Sequence, residues 1–303
     1  MISSPAVAGL DWLPPRLLLD GGVGTALIAR GLDLTRAPPE AWNLARPEAV
    51  EEVHRRFAEA GSLAVQTNTF GANRLRLRTY GMEGEVAALN RAGLDRARVA
   101  VGDDVLIIAS IGPSGAIPPP EGDADLFELE DAFAEQADAI AGSSGGRVAF
   151  LHLESFYHPK ELRAALRGCR AGAPAMQVAA SFACNQTRAG FRSAMGFPAE
   201  VLLAVALEER ADAVGANCWL PPGPMLPLIE RLVARSPVPV FAKPIVAPAG
   251  SPPLFPGEFA AGVVALFAAG ARAVGGCCGT GPADLAAASA AVLDPAAAAA
   301  ADE

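Results

Sequence analysis

Val274-Gly275-Gly276-Cys277-Cys278-Gly279-Thr280-Gly281-Pro282 joins the last short apolar run of the chain to a helix that opens on proline. Two cysteines stand side by side between glycines. Closing adjacent thiols into a disulfide strains the peptide between them. Two thiolates at one spot suit a soft metal such as zinc better. Zinc needs further ligands, and a third is expected from Cys218 in Gly215-Ala216-Asn217-Cys218.

Working outward from that stretch, the same unit recurs: a short apolar run, a polar or glycine end, then an amphipathic segment. The runs are Leu17 to Leu19, Leu63 to Thr67, Val105 to Ala109, Val148 to Leu153, Ala175 to Ala180, Ala213 to Ala216, Val238 to Ala242 and Ala271 to Val274. Helices are expected from Pro47 (with Val50, Val53, Phe57 and Ala60 on one face), near 82–101, near 128–142, from Pro159, from Pro198, near 224–235, near 257–270 and from Pro282. Strands alternating with helices imply a parallel sheet. Their uninterrupted apolar character fits strands buried on both faces. Eight units predict an α/β fold, a single (β/α)8 barrel. The rival, an open doubly wound sheet, lacks a Gly-rich dinucleotide turn after the first strand.

Residues 1–15 read as a loose N-terminal extension, 16–293 as the barrel and 294–303 as a flexible Ala-rich tail. The loops Gly112 to Gly122 and Pro244 to Pro256 are long and Pro-rich, as functional loops often are.

The 303 residues are 51% apolar, enough for one large core, and carry a net charge of -9. Acidic balance argues against nucleic acid or an anionic membrane as partner. Few aromatics, 6%, argue against base stacking. No secretory signal or span of about 20 apolar residues is visible. Five cysteines in a chain of this size do not form a disulfide framework. A reduced, cytoplasmic protein is expected.

In a barrel, reacting groups gather at the C-terminal ends of the strands. Strands six and eight end at one mouth, so Cys218, Cys277 and Cys278 can meet on one ion. Three thiolates leave one tetrahedral position open, as in catalytic zinc sites. Such a metal holds an incoming thiol as its thiolate, and metal binding releases the proton, so no separate catalytic base is assigned. Alkyl transfer to a thiol is the matching task. Asp20 and Glu154, ending strands one and four, can hold a substrate ammonium, act as an acid/base pair or cap a loop. Gly21 and Gly22 permit close backbone approach beside Asp20. Cys169 and Cys184 read as buried hydrophobes or bystanders. His54 reads as a surface residue, His158 as a surface residue or a group on the donor side, and His152 has no assigned role. Two rivals stand: imine chemistry on Lys243 at the end of strand seven, and a zinc-holding or redox-sensing barrel without turnover.

Leu19-Asp20-Gly21-Gly22-Val23-Gly24-Thr25, Thr67-Asn68-Thr69-Phe70, Glu154-Ser155, Gly215-Ala216-Asn217-Cys218 and Gly275-Gly276-Cys277-Cys278-Gly279 together resemble the homocysteine S-methyltransferase family over roughly residues 16–293. The resemblance implies a zinc-dependent (β/α)8 enzyme that methylates homocysteine to methionine. It implies zinc on Cys218, Cys277 and Cys278, and the amino-acid moiety of homocysteine on Asp20, Gly21 and Glu154. The run Thr67 to Arg74 resembles the methionine-synthase branch more than the betaine branch. With no appended corrinoid or folate domain in the chain, the expected donor is S-methylmethionine, betaine or a separate methyl-corrinoid or folate partner system. The chain departs from the family pattern at Ile245, where many relatives carry Asn in Pro-Asn-Ala-Gly or Pro-Asn-Ser-Gly, and at Ser155 and His158.

Overall fold

The computed structural model describes residues 10–247 and 250–293. Eight parallel strands form the sheet: β1 Leu17–Leu18, β2 Ala64–Gln66, β3 Leu106–Ile111, β4 Val148–Phe156, β5 Val178–Phe182, β6 Ala213–Asn217, β7 Val240–Lys243 and β8 Ala273–Val274. Each pairs with its neighbours in chain order, and β8 pairs with β1 through Leu17↔Ala273 and Leu18↔Val274. A single parallel bridge, Leu19↔Ala64, joins β1 to β2 and brings the ring round. Each strand is followed by a barrel helix, from Pro47–Glu59 after β1 to Pro282–Leu293 after β8.

Local sequence explains the helices. Pro47, Pro159, Pro222, Pro256 and Pro282 each occupy the first helical position, where a missing N–H costs nothing and φ is already set. Pro198 stands one residue outside its helix, which begins at Ala199. Val50, Val53 and Phe57 lie buried on the inner face of the first barrel helix. His54 lies on that face too, fully buried, and is not the surface residue its helical position suggested. Among the described residues neither of its ring nitrogens has a hydrogen-bond partner. Burial pushes its pKa down to about 4.

The expected loose extension divides. Residues 1–9 lie outside the described residues, as does the tail 294–303 and the pair 248–249. Leu10 and Leu13, by contrast, are buried. They pack with Leu17, Ile108, Phe150 and Phe241 in a cluster at the N-terminal end of the barrel. Leu10 N donates to Asp212 O, Arg272 Nη1 to Leu13 O and Trp12 Nε1 to Gln177 Oε1. Two apolar side chains close that end because the barrel interior there would otherwise face water.

A hairpin, Asn185–Thr187 with Gly190–Arg192, follows β5 and was not legible as a strand pair. The Gly112 to Gly122 loop is latched outward. Ser114 N and Oγ donate to Glu161 Oε1 at 2.8 and 2.6 Å, and Lys160 Nζ donates to Pro119 O. No described helix is long and apolar enough to cross a membrane.

Candidate functional site

Inward-facing residues recur every second position along a strand. In the closed end they are apolar: Ile108, Phe150, Ala179 and Phe241. Two residues on they become Ser110, His152, Ser181 and Lys243, all buried. His152 sits in this layer with Nε2 2.7 Å from Ser181 Oγ and Nδ1 3.0 Å from Gln66 Nε2. Burial pushes its pKa down to about 4, so the ring is neutral. Gln66 Nε2 also donates to Glu154 Oε1. Gln66, Ser110 and Lys243 reach from this level into a cavity of about 280 Å³ at the C-terminal mouth, also lined by Gly21, Glu154, Cys218, Cys277 and Cys278.

The three sulfurs converge. All lie within 4.8 Å of one another, and Cys218 Sγ is 3.8 Å from Cys278 Sγ. Tetrahedral zinc with bonds of about 2.3 Å places two sulfurs about 3.8 Å apart, so the donor set and its spacing fit that ion. Hydrogen bonds from the Cys218 thiol, then from Cys277, hold the Cys278 thiol below its ordinary value. Cys218 is pushed up by its thiol contacts with Cys277 and Cys278 and by burial. One negative charge here suppresses the next, and a divalent cation would relieve that repulsion.

Local backbone aims these groups. Cys218 and Trp219 both have φ of 62°, and Ser155 has φ of 63°. Left-handed φ at non-glycine residues is strained and clusters at functional sites. The side chain of Asn217 braces the strained Ser155: Oδ1 accepts from Ser155 N at 2.8 Å and Nδ2 donates to Ser155 Oγ at 2.7 Å. Asn217 Nδ2 also lies 3.8 Å from Cys277 Sγ. Cys218 N donates to Lys243 O at 2.9 Å and Cys277 N to Pro244 O at 2.8 Å, tying the cysteine turns to the end of β7.

Asp20, Glu154 and Lys243 meet below the sulfurs. Lys243 Nζ lies 3.4 Å from Asp20 Oδ1 and 3.4 Å from Glu154 Oε2. Asp20 Oδ2 accepts from Gln66 N at 2.7 Å. Burial pushes Asp20 up to about 6 against the pull of Lys243. Burial pulls Lys243 down, and the charges of Glu154 and Asp20 outweigh it, so its pKa ends above the ordinary value. Asp20 is fully buried and does not reach the cavity surface. Gly21 does, and it must be glycine: a Cβ there would lie 2.5 Å from Thr280 O.

Gln66, Ser110 and His152 were missed as site residues; their shared signal is a polar residue two positions after an inward apolar one. Glu40 was missed as well. It lines the cavity with Oε1 accepting from Gly71 N at 2.6 Å, and burial raises its pKa. His158 is neither on the surface nor in the cavity. It is buried, and its Nδ1 accepts from Lys160 N at the start of its helix. Cys169 and Cys184 are buried, and burial pushes both up to about 12. Neither long Pro-rich loop contributes a described residue to the lining beyond its first strand end.

Comparison with known proteins agrees with this geometry. The family model described as homocysteine S-methyltransferase matches residues 17–292. A methionine synthase from Mycobacterium tuberculosis is 32% identical over 94% of this chain, and one from Mycobacterium leprae is 31% identical over 90%. The chain spans about a quarter of the length of these relatives, 25% and 24%. The metallated form of the homocysteine methyltransferase MmuM from Escherichia coli has the same fold. Its TM-score is 0.76 at 23% identity, covering 91% of this chain and 96% of that one.

Proposed function

The chain belongs to the homocysteine S-methyltransferase family, and from that premise we propose that it transfers a methyl group to the sulfur of homocysteine, giving methionine. The observation that carries this reading is the convergence of Cys218, Cys277 and Cys278 within 4.8 Å at the mouth of a cavity walled by Glu154 and Lys243.

Cys218, Cys277 and Cys278 would hold zinc, which when bound supplies an acidified thiol and keeps it as a thiolate near neutral pH. Everything else falls to the chain. Asn217 Nδ2 lies against Cys277 Sγ and fixes its orientation. The cavity positions acceptor sulfur and methyl donor together, which removes translational entropy from the reaction. The sulfur attacks the methyl carbon in line. An S–CH3 bond forms as the bond from methyl to donor breaks, and the electron pair leaves with the donor. The thiol proton has already gone to solvent, so no side chain need remove it during transfer. Free thiols at the mouth suit a reducing compartment such as the cytoplasm.

The test is methionine formation by zinc-loaded protein from homocysteine and a panel of donors: S-methylmethionine, betaine, and methyl-corrinoid or methyl-folate systems. We expect about one zinc per chain after purification under reducing conditions and turnover with one donor class. Absence of both zinc and methionine would sink the reading. Conversion of a carbonyl substrate trapped by borohydride on Lys243 would favour imine chemistry instead.

A further inference from the structure

Lys243 is buried at 4% exposure and still reaches the cavity. Its ammonium has three N–H donors. Two face carboxylates, at Asp20 Oδ1 and Glu154 Oε2. The third has no protein acceptor among the described contacts of this side chain. A carboxylate in turn offers about four lone-pair positions. Glu154 spends three: Gln66 Nε2 and Ser110 Oγ on Oε1, and Lys243 on Oε2. Asp20, the other carboxylate, is fully buried and does not reach the cavity surface. The cavity wall therefore presents one negative and one positive group side by side, each with a hydrogen-bonding position the protein leaves open. An α-amino acid carries the same two charges on one carbon.

We propose that Lys243 is a specificity-determining residue that receives the α-carboxylate of the thiol substrate, beside the α-ammonium site that the family resemblance already gives to Glu154. The site then selects zwitterionic thiols over thiols bearing a single charge. A thiol with only a carboxylate meets Glu154 as a like charge. A thiol with only an ammonium meets Lys243 the same way and leaves its third N–H without an acceptor in a low-dielectric wall. This inference rests on the thiol-methyltransferase reading of the site.

The experiment is calorimetric binding to the zinc-loaded full chain, which needs no methyl donor. Three thiols are compared: homocysteine, 3-aminopropane-1-thiol, which lacks the carboxylate, and 4-sulfanylbutanoate, which lacks the ammonium. Wild type is expected to bind homocysteine about 10- to 100-fold tighter than either, the worth of one charge-assisted hydrogen bond. Lys243→Met is expected to weaken homocysteine to the level of 3-aminopropane-1-thiol. It should leave 3-aminopropane-1-thiol as tight as in wild type or tighter, because the repelling charge is gone. Lys243→Arg should recover part of the homocysteine affinity. An equal fall for all three thiols in Lys243→Met would reduce Lys243 to a structural counter-charge and overturn the inference. So would a wild type that binds homocysteine and 3-aminopropane-1-thiol equally, a result that does not depend on any variant folding. Binding of none of the three would overturn the methyltransferase reading along with it.

Discussion

At its N-terminal end the barrel is filled by Leu17, Ile108, Phe150 and Phe241, with Leu10 and Leu13 set across the opening. At its C-terminal end the same strands deliver Gln66, Ser110, His152, Glu154, Ser181 and Lys243, all buried and all hydrogen-bonded. Ser110, His152 and Lys243 stand only two residues beyond Ile108, Phe150 and Phe241 on the same strands. One end is stabilised by area removed from water, with no partner requirement. The other keeps charges out of water and must satisfy each of them. Left-handed backbone occurs at both ends: at Ser155, Cys218 and Trp219 beside the cavity, and at Arg16 and Arg210 ahead of β1 and β6. The closed end can hold the structure while the open end carries groups that do not favour folding.

That contrast can be broken or sharpened, beginning with the largest effect. Cys278→Ala removes one of the three sulfurs and is expected to lower zinc affinity by more than about 100-fold, beyond what loss of an outer-sphere partner costs. Metal content by mass spectrometry and methionine formation should fall together, while the denaturation midpoint of the metal-free protein stays unchanged. Retained stoichiometric zinc would show that Cys278 is no ligand. At the other end, Leu13→Ala should cost about 3 kcal/mol in urea unfolding through the cavity it leaves, with homocysteine KM unaltered. A changed KM would mean the two ends are coupled. Glu154→Gln keeps the shape of the open end and removes a charge. Homocysteine KM is expected to rise about 10- to 100-fold with zinc retained, and an unchanged KM would remove Glu154 from substrate binding.

The smallest effect concerns a polar group buried among Val50, Val53 and Phe57 on the inner face of the first barrel helix. Among the described residues His54 has no hydrogen-bond partner on either nitrogen, unlike His152 in the open end. His54→Leu should raise stability at pH 7.5 by about 1 kcal/mol. The folded-state pKa of His54 is about 4 against an ordinary 6.5. The unfolded chain therefore takes the proton first, and wild type loses stability as pH falls from about 6.5 toward 4. Urea unfolding at pH 5 and 7.5 should show a smaller pH-dependent loss in the variant; an equal loss would clear His54 of the effect.

Periodicity and strand ends were readable because they are local. Apolar runs closing on Asp20, Glu154, Asn217, Lys243 and Cys277 appear in order along the chain, and Pro at the first helical turn marks where helices open. Burial of His54 and His158 was not readable, since one helical position looks like another until its neighbour is known. The brace from Asn217 to Ser155 spans 62 positions, a pairing no local pattern carries. Leu10 and Leu13 looked like part of a loose end because the opening they cover exists only after the ring has formed.

By itself the sequence determined eight strand–helix units and the adjacent cysteines that end the last strand, because hydrophobic period and residue chemistry are properties of neighbouring positions; that Cys218, 60 positions from Cys278, joins them is a matter of the closed ring. Only the tertiary structure decided that Lys243 stands between Asp20 and Glu154 and that a polar layer lies above an apolar one. Both depend on strand register, which is set by the closure of the whole ring and fixes, for each residue, whether it faces the inside.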